Sequence, residues 1–195
     1  SLDTDLAHGL PGMALFLAQL AVATGDERWR TLAGATLETY LRYSAEESDD
    51  LDEGLDEPVG LFDGLGGRLF ALSWLSGLGL RADIRREIGR LVERTALLLS
   101  NPVEDEAPGL ARGLAGCLTG LLAAHAEFPD LGALDAARLA GDLLLDFELT
   151  EETEEMPDGP FAAFHDGPAG AIGPLLALSE MAGEKVYRVA AEQLT

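Results

Sequence analysis

Cysteine, lysine and positive charge are what this chain has least of. Cys117 is the single cysteine among 195 residues. That excludes an internal disulfide and any multi-cysteine zinc site built within the chain, and a reducing cytoplasmic setting fits it. Lys185 is the sole lysine, and 13 basic residues face 35 acidic ones, for a formal net charge of −22. So acidic a surface repels phosphate backbones and disfavours nucleic-acid partners. No apolar run reaches the roughly 18 residues of a membrane span, and no basic segment introduces a signal peptide. Alternating β-branched runs are missing too, while Leu, Ala and Gly dominate. The class this leaves is all-helical, with length enough to bury a substantial core as one domain spanning residues 1–195.

What is present is a repeat. Gly-x-x-Gly recurs at Gly9/Gly12, Gly64/Gly67, Gly113/Gly116 and Gly167/Gly170, at intervals of about fifty residues, the scale of stacked helical units. Each pair precedes a mainly apolar run: Met13–Ala23, Leu69–Leu78, Leu118–Ala126 and Ala171–Ala182. Met13–Ala23 holds no charge, so a helix made from it is apolar all round and belongs inside other structure. Pro11 suits a first helical turn, Gly25 a left-handed stop, and Asp26 the cap of the next helix. Gly183 repeats that stop in the fourth copy. The pattern reads as four helical hairpins, each an apolar inner helix followed by a more polar outer one.

The outer helices carry one apolar stripe each. Glu27–Tyr43 places Trp29, Leu32, Ala33, Thr36, Leu37, Tyr40 and Leu41 at helical steps. Ala82–Ser100 turns Ile84, Ile88, Leu91, Val92, Thr95 and Leu98 inward and Arg85, Arg86, Arg90 and Arg94 outward, a solvated face. In the third unit, Gly109–Phe147, Pro129 and Asp130 start the outer helix. Phe70, Leu72, Trp74 and Leu75 are expected in the second inner helix, and Cys117 reads as a small core residue of the third. Ser44–Glu57 is dense in carboxylates and is expected to be a solvated loop, as is Glu151–Asp158. Asp49, Asp50 and Asp52 resemble an aspartate-rich magnesium box, but they sit in a glycine-interrupted loop rather than on an apolar helix.

The residue before each first glycine is His8, Asp63, Arg112 or Asp166, polar every time. Inner-helix N-termini with free N–H groups at a common mouth would suit a thiolate, carboxylate or other anion. The competing reading is that each polar residue caps its own helix.

Asp5–Asp26, Gly60–Leu75, Gly109–Leu122 and Phe164–Leu194, in this order, resemble the LanC-like family. The closest likeness is to the C-terminal cyclase domain of class II lanthipeptide synthetases. The resemblance implies an α/α toroid, or α/α barrel, of which about four hairpin repeats are present here. It implies lanthionine formation, the addition of cysteine thiols to dehydrated serine or threonine of a precursor peptide, which would be the partner. In a complete member a zinc held by two cysteines and a histidine activates the thiol. Those ligands lie in Trp-Cys-x-Gly and Cys-His-Gly motifs, neither of which occurs in this chain, so no cofactor is expected to be held here. The family's acid/base histidine precedes the first glycine of the fourth repeat. Asp166 aligns with it and His165 stands one position early; these two are the catalytic candidates.

Ser1 opens without a methionine and Ala190–Thr195 stops inside a helical pattern. The chain is therefore expected to be a piece of a longer one, incomplete at its C-terminal end. Its open toroid ends would then favour self-association. Two rival readings remain: a glycan-processing α/α-barrel hydrolase using Asp63 and Asp166 as paired carboxylates, and a non-catalytic peptide-binding scaffold.

Overall fold

The computed structural model describes residues 3–47, 57–80, 83–101, 107–150, 165 and 167–194. Among these, every regular element is helical. The inner helices are α1 (Leu10–Thr24), α3 (Leu65–Gly77), α5 (Leu114–Glu127) and α7 (Ile172–Ala182); the outer ones are α2 (Glu27–Glu47), α4 (Ile84–Leu99), α6 (Ala133–Thr150) and α8 (Lys185–Gln193). α1 packs on α3, α3 on α5 and α5 on α7, with each inner helix also against its own outer partner. α6 bridges α4 and α8 in the outer layer. Among the described residues α1 and α7 share no packing comparable to that of the neighbouring inner helices, so the inner layer is an open run of a helical-hairpin toroid. No described helix is long and apolar enough to cross a membrane.

Local chemistry sets the hairpins. Gly25 and Gly183 close α1 and α7 in the left-handed conformation, at φ 69° and 73°, a region open to glycine because it lacks a Cβ. Asp26 then caps α2 by accepting the Arg28 N–H at 3.0 Å. The core between the layers is aliphatic: Leu65, Leu69, Leu72, Leu75, Ile88, Leu91, Leu118 and Leu121 are all fully buried, and Cys117 lies among them.

Several expectations needed correction. α1 is buried on one side only, for Met13, Phe16 and Val22 are 53%, 66% and 55% exposed. Its run is apolar all round, yet no described helix covers its far side. Leu32 of α2 and Trp74 of α3 are likewise exposed rather than core. Ser44–Glu47 is the end of α2, not loop, because buried Ser44 bonds to Glu87 of α4 at 2.7 Å. Glu57 is not solvated either; it pairs with Arg68 of α3 and Arg94 of α4. Arg94 and Arg90 thus turn inward, the latter to Glu87 at 2.8 Å, and only Arg85 and Arg86 fit the solvated face. Pro129–Leu131 is a separate 3-10 turn, ended by Gly132 at φ 74° before α6 begins. The fourth inner helix also opens with a 3-10 turn, Pro168–Ala171. Pro174 has no N–H to donate, and restarting the helix at Ile172 puts it in a first turn where none is needed. Asp49, Asp50, Asp52 and Glu151–Asp158 lie outside the described residues.

Candidate functional site

The Gly-x-x-Gly turns stand side by side at one end of the inner layer. The Ala7 N–H donates to the Phe62 carbonyl at 3.1 Å, Phe62 to Ala111 at 2.9 Å, and Ala111 to His165 at 2.9 Å. Each of these four residues stands two before the first glycine of its repeat. The result is a backbone ladder running through all four turns. Glycine permits it by removing side chains where the turn folds onto its helix. A Cβ on Gly67 would stand 2.0 Å from the Leu61 carbonyl oxygen, and one on Gly116 2.1 Å from that of Leu110.

The ladder fixes what faces the rim. His8, Asp63 and Arg112 follow its rungs and are exposed. Asp63 faces the Arg112 guanidinium at 3.6 Å, and His8 lies 3.8 Å from Asp5. His165 is exposed, with its ring centroid 5.4 Å from that of Phe62. It is in register with Ala7, Phe62 and Ala111, one place ahead of the His8, Asp63 and Arg112 series. Asp166, which continues that series, lies outside the described residues.

The open N–H groups expected at this mouth are not there. Leu10, Leu65 and Leu114, the first residues of α1, α3 and α5, donate to the carbonyls of Asp3, Pro58 and Ala107 at 2.9 to 3.0 Å. Gly66 and Ala115 are taken the same way by Val59 and Pro108. Each approach segment curls back and caps its own helix with backbone, which leaves no anion cradle in those three repeats. None of His8, Asp63 and Arg112 caps a helix either: the capping positions are glycines, with no side chain to offer, and it is Asp5 that accepts the Gly9 N–H, at 3.1 Å.

A zinc ion does not fit the residues described. Cys117 is fully buried in α5, and no three His, Cys, Asp or Glu side chains among the described residues converge on one point.

The family model for lanthionine synthetase C-like proteins matches residues 1–159. The chain belongs to that family. No curated relative matches it significantly. The match covers the first three glycine turns and stops short of the fourth, which the backbone ladder ties to the other three. Membership of the lanthionine synthetase C-like family accounts for the hairpin array and supports cyclase-type chemistry in general.

Sequence reasoning missed a second feature. One side of the inner layer faces away from the outer helices, carrying Gln19 and Val22 of α1, Phe70, Trp74 and Gly77 of α3, and Thr119, Ala123 and Ala126 of α5, all exposed or half-buried. Trp74 is 50% exposed and packs on Phe70 at 6.0 Å between ring centroids. The available signal was register. Phe70 and Trp74 occupy the repeat positions that Thr119 and Ala123 fill in the next unit, where small or polar residues mark an open face.

Proposed function

We propose that this chain forms the peptide-facing rim of a lanthionine-forming cyclase. The whole enzyme would add a precursor's cysteine thiols to its dehydrated serine or threonine residues. The backbone ladder carries this reading, because it aligns His8, Asp63, Arg112 and His165 along one edge of a family toroid. His165 at that edge, and Asp166 next to it in sequence, are the proton-transfer candidates, and the Asp63–Arg112 pair offers both charges to a peptide backbone. Zinc, in a complete enzyme, would be held by residues outside this chain and would supply thiol activation. The chain alone should therefore bind peptide without closing rings. With a linear peptide carrying one cysteine and one dehydrobutyrine, we expect binding by calorimetry and no loss of titratable thiol above background. Arg112→Ala should weaken that binding roughly tenfold; unchanged affinity in Arg112→Ala and His165→Ala would remove the rim from the reading.

The second partner we propose is another copy of the chain, through the uncovered side of α1. That helix holds no charged residue, and contiguous exposed apolar surface of this kind marks an interaction face. The sedimentation coefficient should rise with concentration, and Phe16→Glu should abolish the rise. A monomer at every soluble concentration would refute it.

A further inference from the structure

At the end of the inner layer opposite the glycine rim, three groups converge on the open side. Trp74 stands half exposed on the last turns of α3, with Phe70 behind it. Ser76 donates to the Glu127 carboxylate of α5 at 2.8 Å. The position of a Cβ on Gly77 lies 3.6 Å from the other Glu127 oxygen. Trp74 and Gly77 are three apart on a helix and share a face, so the missing side chain leaves the way open between the indole and the carboxylate. Glu127 has no cationic partner among the described residues. Arg30 is committed to the Leu78 carbonyl at 3.0 Å and to Glu27, and Arg85, which lies over the ring of neighbouring Phe128, is paired with Asp130.

An exposed indole beside a fixed carboxylate is the pairing that recognises an organic cation. The ring face attracts it through its quadrupole, and the carboxylate supplies the countercharge. We propose that Trp74 and Glu127 form a subsite for a lysine or arginine side chain of the bound peptide. The net charge of −22 draws basic peptides toward this surface and away from acidic ones. An apolar side chain would cover the indole but leave the carboxylate without a partner. The subsite rests on the peptide-binding reading of the rim, and it adds a preference: the substrate carries a basic residue at some distance from its reacting cysteine.

The test uses the full chain with Trp29→Phe, which leaves Trp74 as the one tryptophan of the two. The probes are two linear peptides, each with one cysteine and one dehydrobutyrine. One carries two lysines and the other has glutamines in their place. The lysine peptide should shift the Trp74 emission and bind roughly tenfold tighter than the glutamine peptide. That advantage should shrink with added salt and disappear in Trp74→Leu and in Glu127→Gln. Glu127→Gln keeps an acceptor for Ser76, and Trp74→Leu removes a half-exposed ring, so unchanged thermal melts show that both variants are folded. If both peptides bind equally and neither variant alters the affinity, the subsite is refuted while the rim reading stands. If neither peptide binds the parent chain, the rim reading fails and the subsite with it.

Discussion

Gly120→Ala should destabilise the chain by about 3 kcal/mol, although alanine is the better helix former. A Cβ on Gly120 would lie 2.2 Å from the Gly66 carbonyl oxygen and 2.7 Å from the Gly66 Cα. The obstacle is the backbone of α3, which has no rotamer to change. The α3–α5 seam is reciprocal, since a Cβ on Gly66 would meet the Gly116 oxygen at 2.4 Å. Either methyl group forces the two helices apart and strips contacts from a close-packed interior. The Phe62–Ala111 rung of the ladder should open with them, so amide exchange at Phe62 should quicken. Gly34→Ala, inside α2, is the control. Its Cβ would meet only the Leu80 Cδ2 at 3.8 Å, an ordinary contact, so propensity dominates and the helix should gain up to about 1 kcal/mol. Denaturant melts on the two variants test the seam; equal stabilities would show that α3 and α5 do not touch backbone to backbone.

Glu87→Ala should cost about 3 kcal/mol and should alter the acid limb of stability. Glu87 is a buried carboxylate between the outer helices, accepting bonds from the Tyr40 hydroxyl at 3.1 Å, Ser44 at 2.7 Å and Arg90 at 2.8 Å. Burial by itself would raise its pKa. The bonds from Arg90 and Ser44, the Arg90 charge and the Tyr40 hydroxyl outweigh burial and hold it below the ordinary 4.5. Burial, and then the Glu87 charge, push the Tyr40 hydroxyl the other way, well above its usual range. Because the folded pKa of Glu87 lies below the unfolded one, its contribution is complete above about pH 4.5 and is lost as pH falls through the folded value. Removing it strands Arg90, Ser44 and Tyr40 around a partly dry gap. Thermal melts from pH 7 to pH 3 should show the variant less stable at neutral pH, with the difference shrinking on acidification. A constant difference across that range would mean that the carboxylate is not held in its charged form by the fold.

Most of the architecture was legible because it repeats. Glycine at fixed spacing, an apolar run and a glycine stop are local properties, and four copies of them fix an array of hairpins before any contact is known. Burial of Ile84, Ile88, Leu91, Val92, Thr95 and Leu98 followed from helical period alone. Arg90 and Arg94 did not follow. Their period places them beside the apolar stripe, and whether a boundary residue turns in depends on the partner across from it. Glu57, Glu87 and Ser44 supply those partners from segments more than thirty residues away or from the next turn.

The sequence by itself determined the all-helical class, the hairpin period, the stops at Gly25 and Gly183 and the family, because each rests on short-range chemistry or on order along the chain. Only the tertiary structure decided what the glycine turns do. Sequence spacing pointed to helix N-termini with open N–H groups. In space the approach segments cap α1, α3 and α5 themselves and join one another through the ladder. A backbone hydrogen bond carries no residue identity, so no pattern of side chains could have announced it. The same holds for Trp74: its repeat position is apolar-compatible in sequence, and only the direction of the outer layer decides that it faces the open side.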